Sequence, residues 1–439
     1  MDIYNLVSFA GIFALLAFAW LLSAQRRNMN WRVIAWAVGL QILVALFIFV
    51  VPAGARVFLF VNDVVVRVLD SASAGARFVF GRLAIPPGRT DEQGQTSLGF
   101  ILAFQAFPTI IFFSALISIL YYFRIMPLVV RAFAYVFTKL MRISGAESLV
   151  AAGNIFVGVE SAITVKPCLA QMTRSELCTV LTAGMATVAS NVLALYVFTL
   201  RDRFPTIAGH LVSASLLSAP AAIVMSKVIL PESETPQTLG IHVRPFYEKE
   251  SSLFEAIING ANAGVRMIVG IVALLIAVLG LVALLDMILS GLGGWINRAF
   301  GTEVDWSLKT LLALIFYPFT LVCGIPLEDA WPASRLIGQR LILTEVVSYQ
   351  ELAGLLKAGP EHGFAHPRSA VITTYALCGF AHLASMAIFV GGISALAREK
   401  TPQIAAVALR ALIAATLACL LTAAVAGTFF TNSSILLHK

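Results

Sequence analysis

Long apolar runs alternate with short polar ones along this chain. Residues 3–23, 33–52, 99–122, 206–229, 262–285 and 402–429 are nearly unbroken apolar stretches, and a helix needs about 20 such residues to cross the hydrocarbon of a bilayer. Two stretches read differently. Along 56–82, Arg56, Asp63, Arg67, Asp70, Arg77 and Arg82 punctuate an apolar pattern, and 124–142 is likewise amphipathic, with Arg124, Arg131, Lys139 and Arg142. Both predict helices lying along an interface. The turn formers of Pro86-Pro87-Gly88-Arg89 predict a loop.

A third kind of run is interrupted. Ser144-Gly145-Ala146-Glu147 is a capping-box start. The helix it opens reaches only about Gly158, so roughly 14 residues cover roughly 21 Å, short of a bilayer core of about 30 Å. A second short apolar piece, Ala162 to Ala170, returns through Lys166-Pro167, with Glu160 at the tip between the two. Thr173-Arg174-Ser175-Glu176 is another capping box. It opens a run to Leu200 that is broken at Thr187-Val188-Ala189-Ser190-Asn191.

The stretch 231–254 is polar and predicts a surface linker. From Leu308 the interrupted pattern recurs. An apolar segment ends at Gly324, and Glu328-Asp329-Ala330-Trp331 leads into Gly338-Gln339-Arg340-Leu341-Ile342-Leu343-Thr344-Glu345. A short return, a loop with His362, His366 and Pro367, and a run from Ala370 to Leu396 interrupted at 379–385 complete it. Paired interrupted segments at corresponding positions of two halves point to a transporter binding site.

Composition agrees with a polytopic membrane protein. The 439 residues are 59% hydrophobic and 12% charged, with a mean hydropathy of +0.90, against roughly 25% charged residues in soluble domains. The net charge of +7 is no nucleic-acid footprint, because Lys and Arg sit in short loops between apolar runs. Arg26, Arg27 and Arg32 predict a cytoplasmic first loop, and no positive region precedes the first run as in a cleavable signal. Cys168, Cys178, Cys323, Cys378 and Cys419 show no CxxC spacing and read as small core residues.

The candidate chemistry lies at the interruptions. A glutamate in hydrocarbon costs about 3 kcal/mol or more, which makes an intramembrane acid a functional candidate. Glu160 and Glu345 occupy matching places in the two halves, where a carboxylate can accept from substrate hydroxyls or hold a cation. Asn154, Val157, Thr187 and Val188 offer the side-chain and freed carbonyl oxygens that a hard cation such as Na⁺ takes. The same residues serve equally well as caps for frayed helix ends. His382 and Ser385, three apart, share a helix face and can meet a polar solute. His362 and His366 lack an acid-rich helix around them and are read as loop residues without a metal. There is no HExxH, GxSxG or phosphate-cradling loop.

Ser144-Gly145-Ala146-Glu147-Ser148-Leu149, Gly153-Asn154-Ile155-Phe156-Val157-Gly158, Met172-Thr173-Arg174-Ser175-Glu176-Leu177 and Gly379-Phe380-Ala381 resemble the concentrative nucleoside transporter family, and 338–345 resembles its second hairpin. The resemblance runs from about residue 100 to the last helix. It implies an all-α polytopic fold with about eight transmembrane helices, two re-entrant hairpins, interfacial helices and an inverted repeat, assembled as a homotrimer. On that reading 1–122 holds scaffold helices, 123–230 the first transport repeat, 231–300 the linker and a scaffold helix, and 301–439 the second transport repeat.

By position, Val159, Glu160, Val192, Glu345, Phe380, His382 and Ser385 fall on the family's nucleoside site, and Asn154, Val157, Thr187 and Val188 on its sodium site. The family's first hairpin reads Gly-Gln-Ser/Thr-Glu; Gly158-Val159-Glu160 is one residue shorter and lacks the amide and hydroxyl. Thr344 and His382 each stand where the family has Asn. The expected activity is nucleoside import across the inner (plasma) membrane by cation symport, with Na⁺ as the coupling ion. A proton-coupled importer of a related polar solute, an intramembrane enzyme using Glu160, Glu345 and His382, and a channel are the alternatives.

Overall fold

The computed structural model describes residues 2–90, 94–247 and 250–431, except the side chain of Val159. The described residues form helices and no strands, with two isolated bridges. The first helices are α1 (Ile3–Leu21), α2 (Trp31–Phe49) and α3 (Pro52–Phe80). After a loop come α4 (Leu102–Gln105), α5 (Phe107–Tyr122) and α6 (Ile125–Met141). The first interrupted unit is α7 (Gly145–Asn154), a 3₁₀ piece (Val159–Val165), α8 (Lys166–Leu169), α9 (Arg174–Ala186) and α10 (Ser190–Leu200). Then follow α11 (Ile207–Ile229), α12 (Leu253–Phe300) and α13 (Leu308–Val322). The second interrupted unit is α14 (Leu327–Leu343), α15 (Glu345–Ala358), α16 (Pro367–Leu377) and α17 (Leu383–Leu396), and α18 (Thr401–Thr428) ends the described chain.

Both capping boxes form. The Ser144 hydroxyl accepts from the Glu147 amide and the Glu147 carboxylate accepts from the Ser144 amide; Thr173 and Glu176 do the same. The buried charge this leaves is answered by Lys227 of α11, whose Nζ lies 2.5 Å from Glu147 and 3.3 Å from Glu232. Removing one partner of such a buried pair costs several kcal/mol, about 3–5. The linker lies against this base. Gly145 N donates to Thr238 O, Gly240 N to Ile143 O and Phe246 N to Thr164 O.

Among the described residues, seven helical segments are long and apolar enough to cross a membrane, α4 with α5 and α9 with α10 each counted as one. The run from Ala370 to Leu396 is divided by Cys378–His382 into α16 and α17, each too short alone. The Gly240–Ser252 end of the linker hands over early: Ser252 caps α12, which runs 48 residues rather than spanning only 262–285. Only 11% of the apolar window of α12 is buried, against 94% in 174–200. Uncovered apolar surface of that extent needs an apolar surrounding. On α3 the buried positions Phe58, Asn62, Leu69, Ala72 and Ala76 follow helical spacing, with the charged residues between them.

The core is built around the interrupted units. α9 packs on α18 and α11, α1 lies on α18, α2 lies on α11, and α5 runs along α12. At Gly379 a Cβ would stand 2.5 Å from Cys419 Sγ and 2.8 Å from Ala186 O, so only glycine lets the two interrupted helices touch at their breaks. The cysteines other than half-buried Cys168 are buried.

Candidate functional site

The first break, Thr187–Ala189, is extended backbone: Thr187 has φ −119° and ψ 161°. It lies beside the end of α7. Ser190 N donates to Phe156 O at 3.1 Å, and a Cβ on Gly158 would sit 3.5 Å from that of Ala189. The structure thus sets the segments holding Asn154 and Val157 against those holding Thr187 and Val188. Asn154 is fully buried; its Nδ2 donates to Val150 O at 3.0 Å, and its Oδ1 has no hydrogen-bond partner among the described residues. An orphaned buried amide oxygen costs about 1–3 kcal/mol. One beside a broken helix is the hard-oxygen donor a cation of the Na⁺ class takes. The Thr187 hydroxyl donates to Ala183 O at 2.9 Å.

In the second unit a single residue turns the chain. Thr344 has φ 101° and ψ 157°, and Glu345 is the first residue of α15. A carboxylate there meets the positive end of the helix. Glu345 is 4% exposed. Tyr196 of α10 donates its hydroxyl to Oε1 at 2.7 Å, and His382 Nε2 lies 2.9 Å from Oε2. His382 caps α17: its Nδ1 accepts from Ser385 N at 3.2 Å, while Ser385 Oγ lies 2.7 Å from Nε2. A nitrogen that accepts a backbone N–H carries no proton, which puts the imidazole proton on Nε2, beside Ser385 Oγ and Glu345 Oε2.

Glu160, Val192, Glu345, Phe380, His382 and Ser385 line one cavity of about 140 Å³. Six of the seven predicted substrate residues are therefore in one place; the side chain of the seventh, Val159, lies outside the described residues. Thr344 and the apolar Met267, Ile271, Leu274 and Leu275 of α12 complete the wall. The two glutamates are not equivalent. Glu345 is buried and paired, whereas Glu160, in the first turn of the 3₁₀ piece, is exposed and forms no ion pair among the described residues. Glu160 also lines a wider vestibule of about 790 Å³ with Tyr121, Lys166, Phe246 and Glu250.

Tyr196 was not among the predicted residues. It lies one turn beyond Val192 on the same face of α10, and that spacing is the signal that marks it. His366, at the other end of the second unit, turns Nδ1 to Asp329 Oδ2 at 3.2 Å, and Asp329 also accepts from the amides of Ala365 and His366.

Family models described as the N-terminus of Na⁺ dependent nucleoside transporters, as nucleoside recognition, and as the C-terminus of Na⁺ dependent nucleoside transporters match residues 10–83, 103–203 and 210–427. Solute carrier family 28 member 3 of Mus musculus is 36% identical over 434 residues, covering 96% of this chain and 58% of that protein. Sodium/nucleoside cotransporter 1 of Rattus norvegicus is 33% identical over 437 residues, covering 97% and 64%. The chain thus spans about three-fifths of these mammalian relatives. An uncharacterized transporter of Haemophilus influenzae is 36% identical, with 97% of each chain covered. Among solved structures, CNTnw in an inward-facing substrate-bound state superposes with a TM-score of 0.87 at 32% identity, covering 98% of each chain. A variant of CNTnw in an outward-facing state superposes with a TM-score of 0.87 at 31% identity, covering 98% of this chain and 99% of that one. Identity along the chain, shared fold and matched site segments agree: this multi-pass membrane protein belongs to the concentrative nucleoside transporter family.

Proposed function

We propose that the protein imports nucleosides by Na⁺ symport across the inner (plasma) membrane, as a homotrimer. The observation that carries this reading is the adjacency of two polar sites that meet at Gly158 and Ala189, where the first break borders the cavity. One is the orphaned Asn154 Oδ1 beside the Thr187 break; the other is the cavity closed by Glu345, His382 and Ser385. In this reading Asn154, Val157, Thr187 and Val188 hold Na⁺ as a co-transported ion. Glu345, His382 and Ser385 meet the ribose, Val192 and Phe380 flank the base, and Glu160 with Val159 closes on it from the first re-entrant hairpin. The segments 123–230 and 301–439 carry the site and move, while α5 packed along α12 stays fixed. The names of the mammalian relatives, with nucleoside and sodium in them, support the same assignment.

The polarity of the cavity adds a consequence. Its hydrogen-bonding side chains are those of Glu160, Thr344, Glu345, His382 and Ser385, and the α12 wall is apolar. Recognition therefore rests on the sugar hydroxyls, each charge-assisted bond being worth about 1.5–3 kcal/mol. Purified protein in liposomes is expected to accumulate unmodified uridine or adenosine when a Na⁺ gradient is imposed and not in choline. Glu345→Gln is expected to lose most of that uptake at unchanged insertion. Equal accumulation in Na⁺ and choline, driven instead by a proton gradient, overturns the Na⁺ assignment; wild-type uptake by Glu345→Gln overturns the ribose role.

A further inference from the structure

We infer that Tyr196 is a positioning residue: it fixes the Glu345 carboxylate and transmits cation binding at the first break to the substrate cavity. The inference rests on the function proposed above.

The geometry isolates Tyr196. It is 1% exposed, and its hydroxyl donates to Glu345 Oε1 at 2.7 Å, the short distance of a charge-assisted O–H···O⁻ bond. Its ring cannot swing away, because it stacks on Tyr349 with centroids 4.4 Å apart and planes 28° apart. Tyr349 is itself held by donating to Thr374 O at 2.9 Å. Glu345 belongs to the second interrupted unit and Tyr196 to the first, so this bond joins the two.

Tyr196 is also tied to the cation segment. It stands six residues into α10, at about 1.5 Å of rise per residue. The start of α10 is set by the break: Ser190 N donates to Phe156 O, and Thr187 and Val188 stand three and two residues before Ser190. A cation that orders the oxygens of Asn154, Val157, Thr187 and Val188 fixes the direction of α10. The direction of α10 places the phenol, and the phenol places Oε1. The other oxygen of Glu345 is then left to His382 and the ligand. Such a link is reciprocal: if the ion tightens substrate binding, substrate tightens ion binding by the same factor.

Tyr196→Phe keeps the ring and its stacking and removes only the hydroxyl. The test is uridine and adenosine uptake by reconstituted wild type, Tyr196→Phe and Tyr349→Phe, with KM measured at low and saturating Na⁺. For Tyr196→Phe, KM at saturating Na⁺ is expected to rise about tenfold, as for a lost bond to a charged group. The dependence of KM on Na⁺ is expected to shrink, with Vmax nearly kept. Tyr349→Phe, which removes a hydroxyl that donates to Thr374 O, is expected to keep the Na⁺ dependence. A raised KM with the wild-type Na⁺ dependence would mean that Tyr196 merely satisfies a buried oxygen, and an unchanged KM would mean that it does nothing; either overturns the inference. A wild type with no Na⁺ dependence would instead overturn the symport reading beneath it. Should Tyr196→Phe not reconstitute, Na⁺ titration of its thermal stability in detergent, with and without uridine, replaces uptake: linkage between the two ligands as large as in wild type overturns the inference.

Discussion

At the scale of residues, the departures from the family pattern become physical statements. His382 replaces an amide without changing the pattern of donors and acceptors. An Asn there would accept with its oxygen and donate with its nitrogen; His382 accepts at Nδ1 from Ser385 N and holds Nε2 2.9 Å from Glu345 Oε2. Thr344 shows what sequence did not reveal. A β-branched residue at φ 101° stores about 1–3 kcal/mol of strain, and its buried Oγ1 has no hydrogen-bond partner among the described residues. Nothing in the spacing of Leu343-Thr344-Glu345 shows that one residue makes the whole turn.

At the scale of elements, the capping boxes, the two interruptions and both glutamates were legible because each leaves a local mark: a cap three residues before a carboxylate, or polar residues in an apolar run. What was not legible depends on partners distant in sequence. The return after Glu160 is a 3₁₀ piece followed by a four-residue helix, and Pro167 belongs to the start of that helix. Arg340 is a second case. Its place in the motif suggested nothing specific, yet it is the largest fully buried side chain, 1% exposed. Its Nη1 donates to Ala376 O at 2.5 Å, at the end of α16 where the break frees the carbonyls. A cation there also meets the negative end of the half-helix. Arg340→Met keeps the length and apolar stem but leaves the Ala376 carbonyl without this donor, at a cost of about 1–3 kcal/mol. The variant is expected to unfold several degrees lower in detergent. An unchanged Tm would show that the carbonyl finds another donor and that the break needs no such support.

At the scale of the whole molecule, the structure says which face the vestibule opens on. The first loop and the linker lie together: Ala24 N donates to Ile229 O, Asn28 Nδ2 to Glu232 O at 2.6 Å, and Arg32 Nε to Leu140 O at 3.1 Å. Arg26, Arg27, Arg32 and Arg142 gather there, and the positive-inside rule leads us to expect this face to be cytoplasmic. The bases of α7 and α9, pinned by Lys227, are on that face too. The vestibule reaches Glu160 from the same direction, between Tyr121 at the end of α5 and Phe246 of the linker. Ile163, on the return after Glu160, lines it and is 36% exposed. The native cysteines give little background, since four are buried, and Cys168→Ser removes the half-buried fifth. In a Cys168→Ser background, Ile163→Cys is therefore expected to react with a membrane-impermeant thiol reagent in inside-out vesicles and not in right-side-out ones. Reaction is expected to slow when uridine and Na⁺ are added together, because a filled cavity brings the segment bearing Glu160 toward the Glu345 end. Equal labelling from both faces would mean that the vestibule is no one-sided path to the cavity. Labelling confined to right-side-out vesicles would invert the topology that the loop charges imply.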